Sequence, residues 1–222
     1  MRIALLGGTG DIGEGLALRF GRDTDHEVLV GSRDPESARD AVAGYEETLE
    51  AHGAEATVKG FVNEMVTDRA DVAVLAVPPY HVGDTIESVA DALDENTILV
   101  TPAVAMKRDD GGMQFHPPSA GSTTELVAQR APDGVPVVGA YHNLPAARLA
   151  DLEADIDYDT PVVGTDRDAV RTVVDLTNEI EGLRALEAGP LSNAAAIESL
   201  TALTITLTMY NDARDLGVKW QE

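Results

Sequence analysis

The 222-residue chain contains no cysteine. That excludes disulfides, thiolate metal sites and cysteine-ligated iron–sulfur clusters. Positive charge is also scarce. Lys plus Arg total 16 against 39 Asp plus Glu, for a net charge of −23, and only Lys59, Lys107 and Lys219 are lysines. No basic stripe is available to meet a phosphate backbone, so a nucleic-acid partner is not expected. The five histidines (26, 52, 81, 116 and 142) are too scattered for a metal motif, and no metal is expected. No apolar run approaches the ~20 residues of a membrane span. The start of the chain has no basic stretch ahead of a signal-type segment, so a cytoplasmic protein without a membrane contact is expected. The carboxylates are spread along the whole chain rather than gathered in blocks. Such self-repulsion destabilises a compact chain in dilute salt, whereas molar salt shortens the screening length to ~3 Å or less. The composition therefore points to a halophilic, salt-saturated cytoplasm.

What is present is concentrated at the beginning. The apolar run Ile3 to Leu6 reads as a buried parallel strand, ends in Gly8-x-Gly10-x-x-Gly13, and is followed by a helix carrying Ile12, Leu16, Ala17 and Phe20 on one face. Strand, glycine triplet and helix in that order are the dinucleotide-binding fingerprint. Gly8 is expected to permit the tight turn, Gly10 to admit a pyrophosphate, and Gly13 to let helix and strand pack closely. The helix N-terminus offers N–H groups and a positive dipole end to the phosphates.

The second apolar run ends in Gly31-Ser32-Arg33. An NAD site carries an Asp or Glu about 20 residues past the glycines to hold the ribose 2′-hydroxyl. Ser32 and Arg33 suit a 2′-phosphate instead, because a guanidinium donates two charge-assisted hydrogen bonds to it. Arg33 also has the shape to stack on adenine. NADP rather than NAD is expected, with Asp34 the one neighbour that suits a 2′-hydroxyl.

Strand and helix patterns alternate. Strands are expected over 2–7, 27–31, 55–60, 71–77, 97–101 and 135–140, and helices over 11–22, 35–51, 62–69, 81–93 and 119–130. This is an α/β pattern: a Rossmann-type, doubly wound, mostly parallel sheet. Residues 102–118 read as a long loop at a strand C-terminus, the edge where ligands bind. The turn with Pro78 and Pro79 follows the fourth strand, where loops border the nicotinamide ribose, and His81 lies beside it. Beyond residue 140 the pattern changes: 141–152 is irregular, Pro161 to Gly164 and Leu183 to Leu186 read as strands, and Asp166 caps a helix. Residues 191–216 are read as a helix, although 203–208 alternates Thr with apolar residues as a strand does. The expected division is a nucleotide-binding domain at 1–140 and a small α+β domain at 141–222. The apolar C-terminal segment makes a homo-oligomer plausible, and no exposed apolar face for a different partner stands out.

No Tyr-x-x-x-Lys pair exists: Tyr45, Tyr80 and Tyr141 are followed four residues on by Leu49, Asp84 and Pro145. No Gly-x-Ser-x-Gly elbow exists either. No catalytic acid, base or nucleophile is expected from these patterns. The chain resembles the archaeal deazaflavin-dependent NADP reductases, the coenzyme F420H2:NADP oxidoreductases. The resemblance spans almost the whole length. It rests on Ala4-Leu-Leu-Gly-Gly-Thr-Gly10, Val30-Gly-Ser-Arg33, His142-Asn-Leu-Pro-Ala-Ala-Arg148, Ala188-Gly-Pro-Leu-Ser-Asn193, Glu198-Ser-Leu-Thr201 and Leu216-Gly-Val-Lys219. It implies hydride transfer between coenzyme F420 and NADP, with the deazaflavin in a cleft between the two domains. It implies that Thr9, Gly10, Asp11 and Ile12 meet the NADP phosphates and that Ser32 and Arg33 meet the 2′-phosphate. His142, Leu144, Pro145, Ala146, Ser199, Thr201 and Leu216 take the deazaflavin side. Two positions depart from the pattern. Ser37 stands where relatives carry a phosphate-side Lys, with Arg39 near enough to replace part of it, and Ala195 stands where they carry an Arg. Two other readings compete: an NADPH-dependent reductase of a small imine or keto acid, with Arg148 as anchor, and a non-enzymatic NADP-sensing module.

Overall fold

The computed structural model describes residues 1–221. In chain order the elements are β1 (Arg2–Leu6), α1 (Asp11–Asp23), β2 (Glu27–Ser32), α2 (Pro35–Ala51), β3 (Val58–Val62), α3 (Asn63–Thr67), β4 (Val72–Leu75), α4 (Val82–Val89), β5 (Ile98–Thr101), β6 (Met106–Asp109), β7 (Gly112–Phe115), α5 (Thr123–Arg130), β8 (Val137–Gly139), α6 (Ala146–Ala150), β9 (Tyr158–Gly164), α7 (Arg167–Asn178), β10 (Leu183–Pro190) and α8 (Ala194–Tyr210). Eight strands form one sheet in the order β10-β9-β8-β5-β4-β1-β2-β3. Every neighbouring pair is parallel except β8 and β9. The chain winds from β1 through β2 to β3 on one side and from β4 through β5 to β8 on the other. That reversal opens a crevice at the C-terminal ends of β1 and β4, where ligands bind in such sheets.

The strands are apolar on both faces because helices cover both. Successive side chains of β1 alternate: Ile3 and Leu5 enter one core with α1, α2 and α7, while Ala4 and Leu6 enter the other with α4 and α5. All four are fully buried. Burial of each larger one is worth about 1.5–3 kcal/mol against exposure. Asp34, Ser122 and Asp166 cap α2, α5 and α7 with their side chains, whereas Gly10 at the start of α1 supplies no side-chain cap.

Several expectations change. Residues 102–118 are not a structureless loop; they contain the hairpin β6–β7, turning at Asp110-Gly111. Asp-Gly between two short runs is a strong hairpin signal that the length and mixed charge of the segment obscured. The hairpin docks on α8: Met113 N donates to Thr206 Oγ1 at 2.9 Å, and Thr206 Oγ1 donates to Met113 O at 3.0 Å. Within 141–152, Pro145 is followed by the helix formers of α6. Residues after 140 also add β9 and β10 to the same sheet as the nucleotide-binding strands.

The alternating stretch at 203–208 is helical. Thr204 and Thr208 satisfy their hydroxyls on Leu200 O and Ile205 O at 2.8 and 2.7 Å, so the threonines need no strand partner. The helix ends at Tyr210, short of residue 216. Part of the apolar C-terminal segment is exposed: Leu203 is 53% and Tyr210 69% exposed on α8, with Leu207 between them.

Candidate active site

Two clefts sit on the ligand-binding side of the fold. The first has a volume of about 350 Å³ and is edged by Thr9, Gly10, Ser32, Arg33, Pro78 and His81, together with Gly7, Asn63, Ala76, Val77, Asp84, Thr85 and Ser88. Six of the residues expected on the nucleotide side are therefore brought together. The glycines divide their tasks differently from the sequence reading. Gly7, with φ +71°, adopts the left-handed turn assigned there to Gly8. Gly8 is a close-approach position instead: a Cβ on it would lie 2.7 Å from Leu5 O, and one on Gly13 would lie 2.5 Å from Gly8 Cα. Gly10 is open, its nearest neighbour 3.6 Å away, as a backbone that receives a pyrophosphate requires. Asp11 and Ile12 form the first turn of α1 and point its N–H groups out of the helix end. Tyr45, buried under this turn, donates its hydroxyl to Gly8 O at 2.9 Å, and burial pushes its pKa up to about 12.

Arg33 stands at the cleft edge, and among the described residues no ion pair holds it. Asp34 does not compete for the cleft. Its carboxylate accepts from Ser37 Oγ at 2.7 Å and from the backbone N–H groups of Glu36 and Ser37. The Ser37 hydroxyl and these amides hold it below the usual carboxylate range. Ser37 is thus spent on the cap of α2 and does not line the cleft. Asn63 is a residue that sequence reasoning missed. Its Oδ1 accepts from Gly7 N at 3.2 Å, and a side chain on Gly31 would strike it at 2.6 Å. Gly31 in the Val-Gly-Ser-Arg block was the available signal.

The second cleft, about 270 Å³, is walled by Asn143, Leu144, Pro145 and Ala146, by Thr201, Thr204, Ile205 and Thr208 of α8, and by Asp215 and Leu216. Five expected residues meet here. His142 and Ser199 do not line it. Ser199 donates back to Ala196 O at 2.7 Å. His142 is 3% exposed, and burial holds its pKa down at about 4, so the ring is neutral near pH 7. Thr124 Oγ1 donates to Glu198 Oε1 at 2.8 Å, so at 3.1 Å it accepts from His142 Nε2–H. The backbone of His142 accepts from Thr201 Oγ1 at 2.7 Å. This set fixes the wall of the cleft from behind. Glu198, whose pKa burial pushes up, also accepts from the N–H groups of Thr123 and Thr124 at the start of α5.

Leu216 reaches the cleft because the C-terminal segment is tied down. Buried Asp159 on β9 accepts from Arg184 Nε and Nη2 at 2.8 and 2.7 Å and from Trp220 N at 2.7 Å, while its own N–H donates to Val218 O. Lys219 Nζ lies 3.3 Å from it. Arg184 above all, then the Trp220 amide and Lys219, hold the Asp159 carboxyl down at about 2. The sequence alone does not single out Asp159, which stands with Asp155 and Asp157 in one acidic stretch; its burial is what requires these partners.

The chain is similar to known proteins over nearly its whole length. Residues 2–105 match the family described as NADP oxidoreductase, coenzyme F420-dependent. The F420-dependent NADP reductase of Methanocaldococcus jannaschii is 34% identical over 221 residues, covering 99% of this chain and 97% of that one. That of Methanothermobacter marburgensis is 36% identical over 223 residues, with coverage of 99% and 97%. The chain belongs to the F420-dependent NADP reductase family. A crystal structure from Arthrobacter sp. FB24, 23% identical and covering 100% of both chains, has the same fold with a TM-score of 0.81. In this chain the glycine turn and the Ser32–Arg33 edge lie in one crevice. Among the described residues there is no group of three or more potential metal ligands, and no helix is long and apolar enough to cross a membrane.

The single tryptophan, Trp220, reports on the Asp159 anchor. The Asp159 carboxyl titrates at about 2, below its ordinary 3.8, so its stabilisation is complete above about pH 4 and is lost as pH falls toward 2. Trp220 emission should hold steady from pH 7 to about 4 and then shift. Asp159→Asn should show the shifted emission already at pH 7. Identical emission in the two proteins at neutral pH removes the anchor's role.

Proposed function

We propose that the protein exchanges a hydride between coenzyme F420 and NADP. Reduced deazaflavin and NADP+ give oxidised deazaflavin, NADPH and a proton, and the reaction runs in either direction. The observation that carries this reading is the pair of clefts. One is edged by Ser32 and by an Arg33 free of carboxylates; the other has a largely uncharged wall of Leu144, Pro145, Ala146 and Leu216. Full-length identity to two proteins named for this reaction supports it.

The carriers' rings supply the hydride donor and acceptor carbons. The protein's contribution is binding and orientation. The glycine turn, Thr9 and the first turn of α1 (Asp11, Ile12) hold the pyrophosphate, with Gly8 and Gly13 keeping helix and strand close. Ser32 and Arg33 take the 2′-phosphate. Pro78 and His81 border the nicotinamide ribose. Leu144, Pro145, Ala146, Thr201 and Leu216 form the deazaflavin wall. His142 and Ser199 act behind it, and Ser37 acts only through the Asp34 cap. In this reading residues 1–140 are the nucleotide-binding domain, and 141–222 the smaller part that completes the deazaflavin cleft. The alternative of a small-molecule imine or keto reductase loses its anchor, because Arg148 turns away to Asp155 O.

The same reading places the protein in a salty cytoplasm. Both carriers are anionic, as is the protein, so screening aids binding as well as folding. It also includes a homo-oligomer. The exposed face of α8 carries Leu203, Leu207 and Tyr210, and the helix's one charged residue, Glu198, is buried. In a chain of −23 this is a face on which a second copy meets no like charge.

Mixing protein, NADP+ and reduced F420 should yield the absorbance of oxidised F420, and its absence sinks the reading. Arg33→Ala loses a charge-assisted contact of about 1.5–3 kcal/mol, so the KM for NADP should rise about tenfold or more while that for NAD stays unchanged. Both turnover and thermal midpoint should rise from dilute to molar KCl; a fall in either contradicts the electrostatic account. Sedimentation velocity in molar salt should give a dimer or larger, and Leu207→Glu should give the monomer. An unchanged assembly moves the contact elsewhere.

A further inference from the structure

Arg19 lies on α1 and is 1% exposed. Its guanidinium donates to four backbone carbonyls: Nε to Leu149 O at 2.9 Å, and Nη2 to Arg148 O at 3.1 Å, Asp151 O at 2.6 Å and Ala154 O at 3.2 Å. None of these partners is a carboxylate, and burial lowers the guanidinium pKa. The compensating charge comes from the negative end of α6, the carbonyls that follow it and, without direct hydrogen bonds, the nearby carboxylates of Asp23, Asp151 and Glu181. Two neighbours on the same stripe of α1 make the same contact. Gly15, one turn before, has no room for a side chain: a Cβ would lie 2.6 Å from Leu149 Cβ and 3.1 Å from Ala146 O. Arg22, one turn after, donates Nη1 to Leu152 O at 2.9 Å. The spacing 15, 19, 22 is one face of a helix.

The consequence is geometric. α1 begins directly after Gly10, at the edge of the first cleft, and α6 begins at Ala146, in the wall of the second. Whatever fixes α6 on α1 fixes the separation of the clefts. We propose that Arg19 is a positioning residue that clamps the deazaflavin wall to the phosphate-binding helix and so sets the distance between the two rings. This rests on the hydride-exchange reading above. An in-line transfer needs reacting carbons about 3–3.5 Å apart, and a displacement of about 1 Å costs about a hundredfold in rate. A clamp of this kind changes the transfer step and leaves each carrier's own contacts intact.

The test compares wild type, Arg19→Met, Arg19→Lys and Gly15→Ala, each checked for its thermal midpoint. Steady-state rates are measured with reduced F420 and NADP+, and in reverse with NADPH deuterated at the transferred position. For Arg19→Met, kcat should fall about tenfold or more while both KM values stay within about threefold. The deuterium isotope effect on kcat should rise as transfer becomes limiting. Arg19→Lys keeps the charge but not the forked donor, and should be intermediate. Gly15→Ala pushes α6 away without touching a charge and should show the same kcat fall and isotope signature, which decides the matter if Arg19→Met does not fold. Folded variants with unchanged kcat, or with the loss confined to KM, overturn the proposal. A wild type inert with both carriers overturns the functional reading itself, whereas an active wild type with an active Arg19→Met overturns only the clamp.

Discussion

Close backbone approach around α1 is the constraint on which the rest of the structure depends. One side of the helix meets the glycine turn, where Gly13 and Gly8 stack with no space for a Cβ. Another side meets α6 through Gly15. Glycine at these points costs conformational entropy on folding, about 0.5–1 kcal/mol per helical position against alanine. The return is that one short rigid rod touches the strand, the edge of the first cleft and the wall of the second. A larger residue at 13 or 15 would separate elements that the chemistry needs at fixed distance. The first cleft therefore follows from the turn, and the second from the helix that the turn begins.

The sequence was most legible where a residue type has a single physical use. Glycines between an apolar strand and an amphipathic helix, and Ser-Arg where an acid would mark NAD, pointed to the first cleft, and six of its lining residues were foreseen. The doubly wound sheet followed from apolar runs alternating with helical periodicity. Legibility fell where the deciding contact is distant in sequence. Asn63 enters the first cleft from a helix 56 residues after Gly7, and Asp159 finds Trp220 at a separation of 61. No local pattern encodes such pairs. The hairpin at 106–115 was hidden for another reason. Its outer strand is charged and exposed, so it lacks the alternation that marks a half-buried strand, and its stability comes from α8. His142 shows the limit of a motif read without geometry. The block containing it was recognisable, but whether its ring faces the cleft or the interior depends on Thr124 and Glu198, which lie on two other helices.

Polar groups behind the second cleft share one logic. A flat apolar wall cannot hold itself in place, because dispersion contacts have no direction. Directional bonds are therefore placed one layer out. Thr201 holds the His142 carbonyl, Thr124 holds the His142 ring, Glu198 holds both Thr124 and the start of α5, and Asn143 donates to Asp159 O at 2.8 Å. Buried polar networks are rigid when complete and costly when incomplete, and this one leaves His142 Nδ1 and Asn143 Oδ1 without a hydrogen-bond partner among the described residues. Burial keeps the ring of His142 neutral near pH 7, so the network adds no positive charge behind the cleft.

Surface charge and interior design then solve opposite problems. The chain carries 39 Asp plus Glu against 16 Lys plus Arg, and at its surface most ion pairs among the described residues involve an exposed partner and are worth little in water. Inside, the buried cation Arg19 bonds to carbonyls and not to carboxylates. An ion pair at that position would weaken as salt rises if any water reached it, whereas a guanidinium bound to backbone dipoles at short range is screened far less. In a chain of net charge −23, the internal fastening between the two clefts is thus made from contacts that salt screens least. If Arg19 sets the hydride distance, that distance is independent of the medium, and the route left to ionic strength is through carrier binding and the stability of the surrounding shell.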